Sequence, residues 1–250
     1  MVQTQAPQVR IFADRQQLGQ AAAAAIAADL RQVLASQATA RLVFAAAPSQ
    51  TQMLQALALE AGIDWQRVTA FHMDEYLGLP ETAPQRFGNW LKENFFRHVP
   101  IGTVHLISTD GDPHDRASRY ARMLAEAPVD LVCLGIGVNG HLAFNDPHVA
   151  DLADPEAVKV VELERTSRQQ QVDDGCFDRL DDVPDEAITL TIPRLLSAER
   201  LHCVVPGASK STAVRRSLQE PVSPDCPATA LRLHGACTLY LDREAASELN

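Results

Sequence analysis

A chain of 250 residues allows one large domain or two small ones, and 46% hydrophobic with 22% charged residues is an ordinary globular balance, not a disordered or fibrous one. A formal net charge of −10 with no Lys/Arg-rich run argues against nucleic acid or an anionic membrane surface as a partner. An anionic ligand would need a local device, such as a helix N-terminus or a single lysine.

The cysteines, Cys133, Cys176, Cys203, Cys226 and Cys237, are scattered and never form CxxC. That spacing signals neither a disulfide framework nor a zinc site, and it fits a cytoplasmic protein with buried thiols. The opening MVQTQAPQVRIFADRQQ lacks the basic and apolar regions of a signal peptide. Arg15 and Asp29 bracket the alanine run Ala21–Ala25, leaving far fewer than the roughly 18–20 apolar residues of a membrane span.

Strand-like and helical periods alternate along the chain, which predicts an α/β fold with a mostly parallel open sheet and helices on both faces. Val9–Phe12 reads as a first strand and Arg15–Ala35 as a long helix with Leu18, Ala22, Ile26, Leu30 and Leu34 on one face. Arg41–Ala46 is a second strand, followed by a helix through Leu54, Leu57 and Leu59 with Ser49 as its expected N-cap. Val68–Met73 reads as a strand, Asn89–Arg97 as a helix, Thr103–Ile107 as a strand and Arg116–Ala125 as a helix. The apolar run Val129–Ile136 has the composition of a strand covered on both faces. Val158–Leu163 and Ile188–Ile192 read as later strands, separated by a polar, lid-like excursion over 164–185. Leu201–Val205, a helix over Ser209–Leu218 and a final strand Thr238–Leu241 complete a single domain over 1–250.

Open α/β sheets bind ligands at the carboxyl ends of their strands, which directs attention to FAAAPSQ (44–50), FHMDEYLGLP (71–80) and LGIGVNGHLAFNDP (134–147). Gly135, Gly137 and Gly140 formally match GxGxxG, and Glu162 follows about 20 residues on. A dinucleotide site also needs a helix starting at that turn, and Asn145-Asp146-Pro147 interrupts the chain too soon for one. The glycines suit instead a tight turn that presents His141, a group able to exchange protons near neutral pH, with Asp146 placed to return to its imidazole. His141 also has a plain reading as a satisfied turn histidine. Asp74 is placed as a general base, with local capping as its alternative, and Glu75 beside it reads as structural. Ala46, Ala47 and Ser49 open a strand–turn–helix junction whose free amides could take an anion, and Lys210 could add a point charge unless it lies on the surface.

In order, MDEYLGLP, PQRFGNWLKENFF, GIGVNGHLAFNDP, DEAITLTIPRLLSAERLHCVVPGASKSTAV and ALRLHGACTLYLD resemble the glucosamine-6-phosphate deaminase family over about residues 9–245. The related 6-phosphogluconolactonases carry Asp-Glu-Arg where this chain has Asp74-Glu75-Tyr76, and Gly-His-Thr-Ala-Ser-Leu-Phe at the turn that begins Gly140-His141. The resemblance implies a Rossmann-like three-layer fold and an enzyme acting on a small sugar phosphate, with no metal or organic cofactor. It implies that His141 opens the pyranose ring, Asp146 supports it, and Asp74 moves the C2 proton to C1 before ammonia is lost. Lys210 would bind phosphate, with Ala46, Ala47, Ser49, Glu75, Gly137 and Gly140 completing the substrate site. Oligomerisation is left open.

Three positions depart from the family pattern. Asn139 stands where some members have an aspartate; it can hydrogen-bond His141 but carries no charge. The loop Ala46-Ala47-Pro48-Ser49 replaces a Thr-Gly-Gly-Thr-like run. No arginine aligns with a phosphate-binding arginine of the excursion, for which Arg165, Arg168 or Arg179 could substitute. The alternatives to deamination are a lactonase and a sugar-phosphate-sensing protein without turnover.

Overall fold

The computed structural model describes residues 7–249. Its frame is a seven-stranded, wholly parallel sheet. The strands are β1 (Gln8–Phe12), β2 (Ala40–Phe44), β3 (Val68–His72), β5 (Thr103–His105), β6 (Leu131–Leu134), β9 (Arg200–Val205) and β10 (Cys237–Asp242), in the order β1-β10-β9-β6-β2-β3-β5. Successive side chains of a strand point to opposite faces, so each central strand feeds two cores. Leu42, Phe44, Leu131 and Cys133 join one core with Leu18, Ile26 and Leu30 of α1 (Arg15–Ser36) and Met53 and Leu57 of α2 (Thr51–Ala58). Val43, Val132 and Leu134 join the other with Tyr120 and Leu124 of α4 (Pro113–Ala125) and Val214 of α7 (Ser211–Gln219). The continuous apolar runs are thus explained by cover on both sides, and the architecture is the three-layer α/β sandwich the sequence predicts.

A second, antiparallel sheet of three strands was not resolved by sequence patterning. It consists of β4 (Asp74–Tyr76), β8 (Glu186–Leu190) and β7 (Val158–Glu162), in the order β4-β8-β7. Val158–Leu163 and the region after Glu186 are therefore strands, but outside the main sheet. β3 stops at His72, and the chain turns at Met73, whose carbonyl accepts from Leu190 N at 2.8 Å. Ile192 does not end a strand. It starts α6 (Ile192–Leu196), because Pro193 cannot donate to a ladder and Thr191 Oγ1 accepts from Arg194 N at 3.4 Å as an N-cap. The segment over 164–185 holds α5 (Arg165–Asp173) and a 3-10 turn Leu180–Asp182. Helix α3 (Phe87–Asn94) begins two residues before the predicted start. Among the described residues, no helix is long and apolar enough to cross a membrane.

The α1–α2 contact depends on Gly19. A Cβ there would lie 2.7 Å from Gln52 Cβ and 2.9 Å from the Met53 backbone nitrogen. Gly19→Ala gains helix propensity of at most about 1 kcal/mol, against a cost of about 1–3 kcal/mol for overpacking. A lower urea midpoint is expected; an unchanged one would mean that the helices part freely to admit a methyl.

Candidate active site

Past the end of β6, Gly137 N donates to His141 O at 3.0 Å and Gly140 N to Gly137 O at 2.9 Å, closing a tight turn with Gly140 at φ +89°. The His141 ring lies directly over Gly137: a Cβ on that residue would be 2.1 Å from both Cε1 and Nε2. No helix begins here. Leu142–Asn145 forms a second turn with Ala143 at φ 49°, held by Asn145 Nδ2, which donates to Leu142 O and Leu190 O at 2.8 Å each. This turn brings Asp146 back under the imidazole, with His141 Nδ1 to Asp146 Oδ1 at 3.1 Å.

Asp146 is fully buried. Its Oδ1 accepts from Asn139 Nδ2 at 2.9 Å and from the Ser167 hydroxyl, and its Oδ2 from Glu164 N at 3.1 Å. Burial alone would raise this carboxyl, but His141, Asn139 and Ser167 together hold it well below the usual carboxylate range. Asn139 hydrogen-bonds His141 as expected, through the backbone and not the imidazole. Its Oδ1 accepts from the His141 backbone N–H at 3.0 Å, while its Nδ2 bridges Asp146 and Glu164 Oε2, the latter at 2.6 Å. Asp146, His148 and Glu164 offer atoms within 4.8 Å of one another, a candidate cation site among the described residues. Asp146 Oδ1 is taken by these donors, and Asn139 Nδ2 already bridges the Asp146 and Glu164 carboxylates, so the cluster does not fit a resident metal.

Asp74 and Glu75, adjacent on β4, have opposite fates, as strand alternation requires. Asp74 lines the cleft, is buried, and among the described residues accepts no hydrogen bond on its carboxylate. Burial, then the neighbouring Glu75 charge, push its carboxyl well above the ordinary value. Glu75 points away from the cleft: it accepts from Tyr76 N at 3.0 Å, Phe87 N at 2.9 Å and Gly88 N at 3.0 Å, tying β4 to the start of α3. Its predicted place in the substrate site is corrected to a structural one. Gly140 likewise faces Cys226, with Sγ 2.6 Å from where a Cβ would be, and does not line the cleft.

Ala46, Ala47 and Ser49 line the opposite wall, but Ser49 is not an N-cap. The chain enters α2 through a 3-10 turn, and Ser49 Oγ accepts from Gln50 Nε2 at 3.2 Å, which also reaches Val204 O at 3.1 Å. Lys210 closes a 3-10 turn after β9, entered through Gly207 at φ +96°. It is 5% exposed, lines the cleft, and among the described residues makes no ion pair or hydrogen bond through its ammonium. Burial pushes it down to about 8, only partly offset by Asp174. Surface exposure is thus ruled out.

None of the three arginines proposed from sequence reaches the cleft. Arg168 pairs with Asp185 and the Leu180 and Val183 carbonyls, Arg179 pairs with Asp182, and Arg165 is exposed. Gln170 and Gln171 of α5 line it instead. Sequence reading missed them, although α5 buries Ser167, Gln170 and Gln171, a polar stripe at helical spacing that can only face a polar site. Together with Asp74, His141 and Lys210, Gln170 and Gln171 line a single open cleft.

The sequence pattern of the glucosamine-6-phosphate isomerases/6-phosphogluconolactonase family matches residues 13–240. The chain belongs to that family. Within it, the chain is 35% identical over 189 residues to a glucosamine-6-phosphate deaminase of Exiguobacterium sibiricum, covering 75% of this chain and 73% of the relative. It is 36% identical to another from Halothermothrix orenii, covering 79% and 82%. A solved monomeric glucosamine-6-phosphate deaminase superposes with a TM-score of 0.88 at 29% identity, over 96% of this chain and 99% of the other. The 6-phosphogluconolactonase of Thermotoga maritima shares the fold at a TM-score of 0.75 and 18% identity, over 94% and 99% of the two chains.

A buried, partnerless ammonium in a glucosamine-6-phosphate isomerase/6-phosphogluconolactonase fold makes a direct prediction. Peptide-resolved reductive methylation should show Lys210 becoming reactive with a midpoint near pH 8. Inorganic phosphate should move that midpoint upward, because a bound anion favours the charged form. A midpoint indifferent to phosphate would remove Lys210 from any anion site.

Proposed function

We propose that this chain deaminates and isomerises an amino-sugar 6-phosphate, with glucosamine 6-phosphate as the first substrate, to give fructose 6-phosphate and ammonia. The observation that carries the reading is one cleft that holds an unpaired buried carboxylate, a carboxylate-backed histidine and an unpaired buried lysine: Asp74, His141 with Asp146, and Lys210. Each matches one demand of the chemistry. The deaminase relatives support the choice of reaction within the family.

Lys210, with the free amides of the Ala46–Ser49 turn, would take the phosphate. His141 carries a proton between the anomeric hydroxyl and the ring oxygen, and Asp146 holds the imidazole while it does so. Asp74 then removes the proton from C2 and returns it to C1, leaving a C2 imine to which water adds before ammonia departs. The raised Asp74 suits a cationic substrate: an ammonium on C2 places a counter-charge beside the carboxyl and brings it into its basic form.

Lactone hydrolysis is the less favoured reading. Where the lactonases carry arginine, Tyr76 is fully buried against Phe87, Phe144 and Phe177, with ring centroids 4.7, 5.3 and 5.5 Å away. That position, packed against the cleft-lining Phe87 and Phe144, has no place for a cation. Four of the five cysteines are buried and all are free, which supports the proposed cytoplasmic setting.

Ammonia release coupled to fructose 6-phosphate detection tests the proposal. Wild type should produce both in equal amounts from glucosamine 6-phosphate, and Asp74→Asn and His141→Gln should each lose about 10²–10⁴-fold in kcat. Turnover of a phosphosugar lactone with no ammonia from any amino-sugar phosphate would overturn it.

A further inference from the structure

Ser167 lies on α5, between Arg165 and Arg168, which sequence reading considered for the site, and was not itself assigned to it. It is fully buried, and its Oγ sits 2.9 Å from His141 Nδ1 while also contacting Asp146 Oδ1. The proton positions in this triangle follow from what surrounds it. Both Asp146 oxygens face groups that can only donate, Asn139 Nδ2 on Oδ1 and Glu164 N on Oδ2. The orientation of the Asn139 amide is fixed in turn, because its oxygen accepts from His141 N and its nitrogen faces two carboxylates. Asp146 is therefore an ionised acceptor, and the single Ser167 hydroxyl proton must point at it. Towards His141, Ser167 can then offer only a lone pair, so Nδ1 must carry the hydrogen. The lone pair of the imidazole is left on Nε2, the atom over Gly137 at the cleft.

We propose that Ser167 is a positioning residue that locks His141 as its Nδ1–H tautomer, so that the docking of α5 sets Nε2 as the base facing the cleft. Asp146 alone gives Nδ1 one acceptor at 3.1 Å; Ser167 gives it a second and restrains rotation of the ring. The helix that carries Ser167 grips the histidine loop at further points. Asn139 Nδ2 donates to Glu164 Oε2 at 2.6 Å, Glu164 N donates to Asp146 Oδ2 at 3.1 Å, and Val138 N donates to Gln170 Oε1 at 2.9 Å. The excursion over 164–185 is thereby more than a cover. Its first turns supply part of the histidine's own hydrogen-bond shell, and a loosened α5 would leave the loop with a less defined base.

The catalytic meaning of this lock rests on the proposed deamination, but the tautomer itself does not. Nitrogen-15 spectra of the histidine-labelled protein, assigned by difference from His141→Gln, separate a protonated from a lone-pair ring nitrogen. Wild type at a pH where the imidazole is neutral should show His141 with Nδ1 protonated and Nε2 bare; the reverse tautomer overturns the proposal without need of any variant. In Ser167→Ala the two forms should mix, with kcat for glucosamine 6-phosphate down by about 10- to 100-fold, KM nearly unchanged, and Ser167→Thr restoring both. A Ser167→Ala protein that keeps a pure Nδ1–H tautomer, and loses activity only in step with its unfolding midpoint, would make Ser167 merely structural. A wild type with the expected tautomer but no ammonia release would sink the deaminase reading and leave the lock standing.

Discussion

Asp146 is a fully buried negative charge, and a buried charge persists only where donors replace the water it has lost. It collects them from two separate pieces of chain: Asn139 and His141 from the glycine turn, and Glu164 and Ser167 from the start of α5. That requirement shapes the surrounding structure. The left-handed turn at Gly140, the strained Ala143 and the docking of α5 all bring donors to one carboxylate. The departure at Asn139 acquires a physical meaning in this setting. An aspartate there would place a third carboxylate against Asp146 and Glu164, whereas an amide donates to both. With Glu164 in this place, the neutral residue is the one that fits.

A second constraint is the break between β3 and β4. In a wholly parallel sheet every strand ends on the same side, so the loops after β2, β3, β6 and β9 converge without further instruction. The chain does more than end at β3. By turning at Met73 and pairing at once with β8, it gives Asp74 the fixed direction of a strand residue rather than that of a loop. The same pairing sends Glu75 to the far side, where three backbone N–H groups hold it. One carboxylate is thus left without a partner at the cleft while its neighbour is fully bonded.

How much of this could be read from the sequence follows from the range of each signal. Strands such as Leu131–Leu134 and the long helix Arg15–Ser36 rest on local periodicity, and both stand within a few residues of their predicted bounds. Asp74, His141, Asp146 and Lys210 could be singled out because each follows a strand end or a glycine turn. The errors are those of side-chain direction. Ser49 was expected to cap a helix that in fact starts through a 3-10 turn, and the family resemblance placed Glu75 in the substrate site although strand alternation turns it away, in keeping with its reading from the residues as structural. Ser167, Gln170 and Gln171 were passed over because a polar helix reads as a solvated one when the site it faces is formed by residues far away in the chain.

The cleft places a carboxylate and an ammonium among its lining residues. Burial drives its two unpartnered ionisable groups toward their neutral forms, Asp74 upward and Lys210 downward. Among the described residues neither is paired with a counter-ion that reverses the shift, and the two need opposite ones. An amino-sugar phosphate carries both, an ammonium and a phosphate on one small carbon frame. A neutral sugar phosphate could satisfy Lys210 but not Asp74, and a simple amine the reverse. The chain as a whole, at −10, would repel a phosphate from solution. On the proposed reading, recognition comes from short range, from the desolvated lysine and the amides of the Ala46–Ser49 turn, where the field of the distant acidic surface is screened within about 10 Å. The charges of Asp74 and Lys210 and those of the proposed substrate are complementary in sign, and that match would be lost if either Asp74 or Lys210 had been given a partner by the fold.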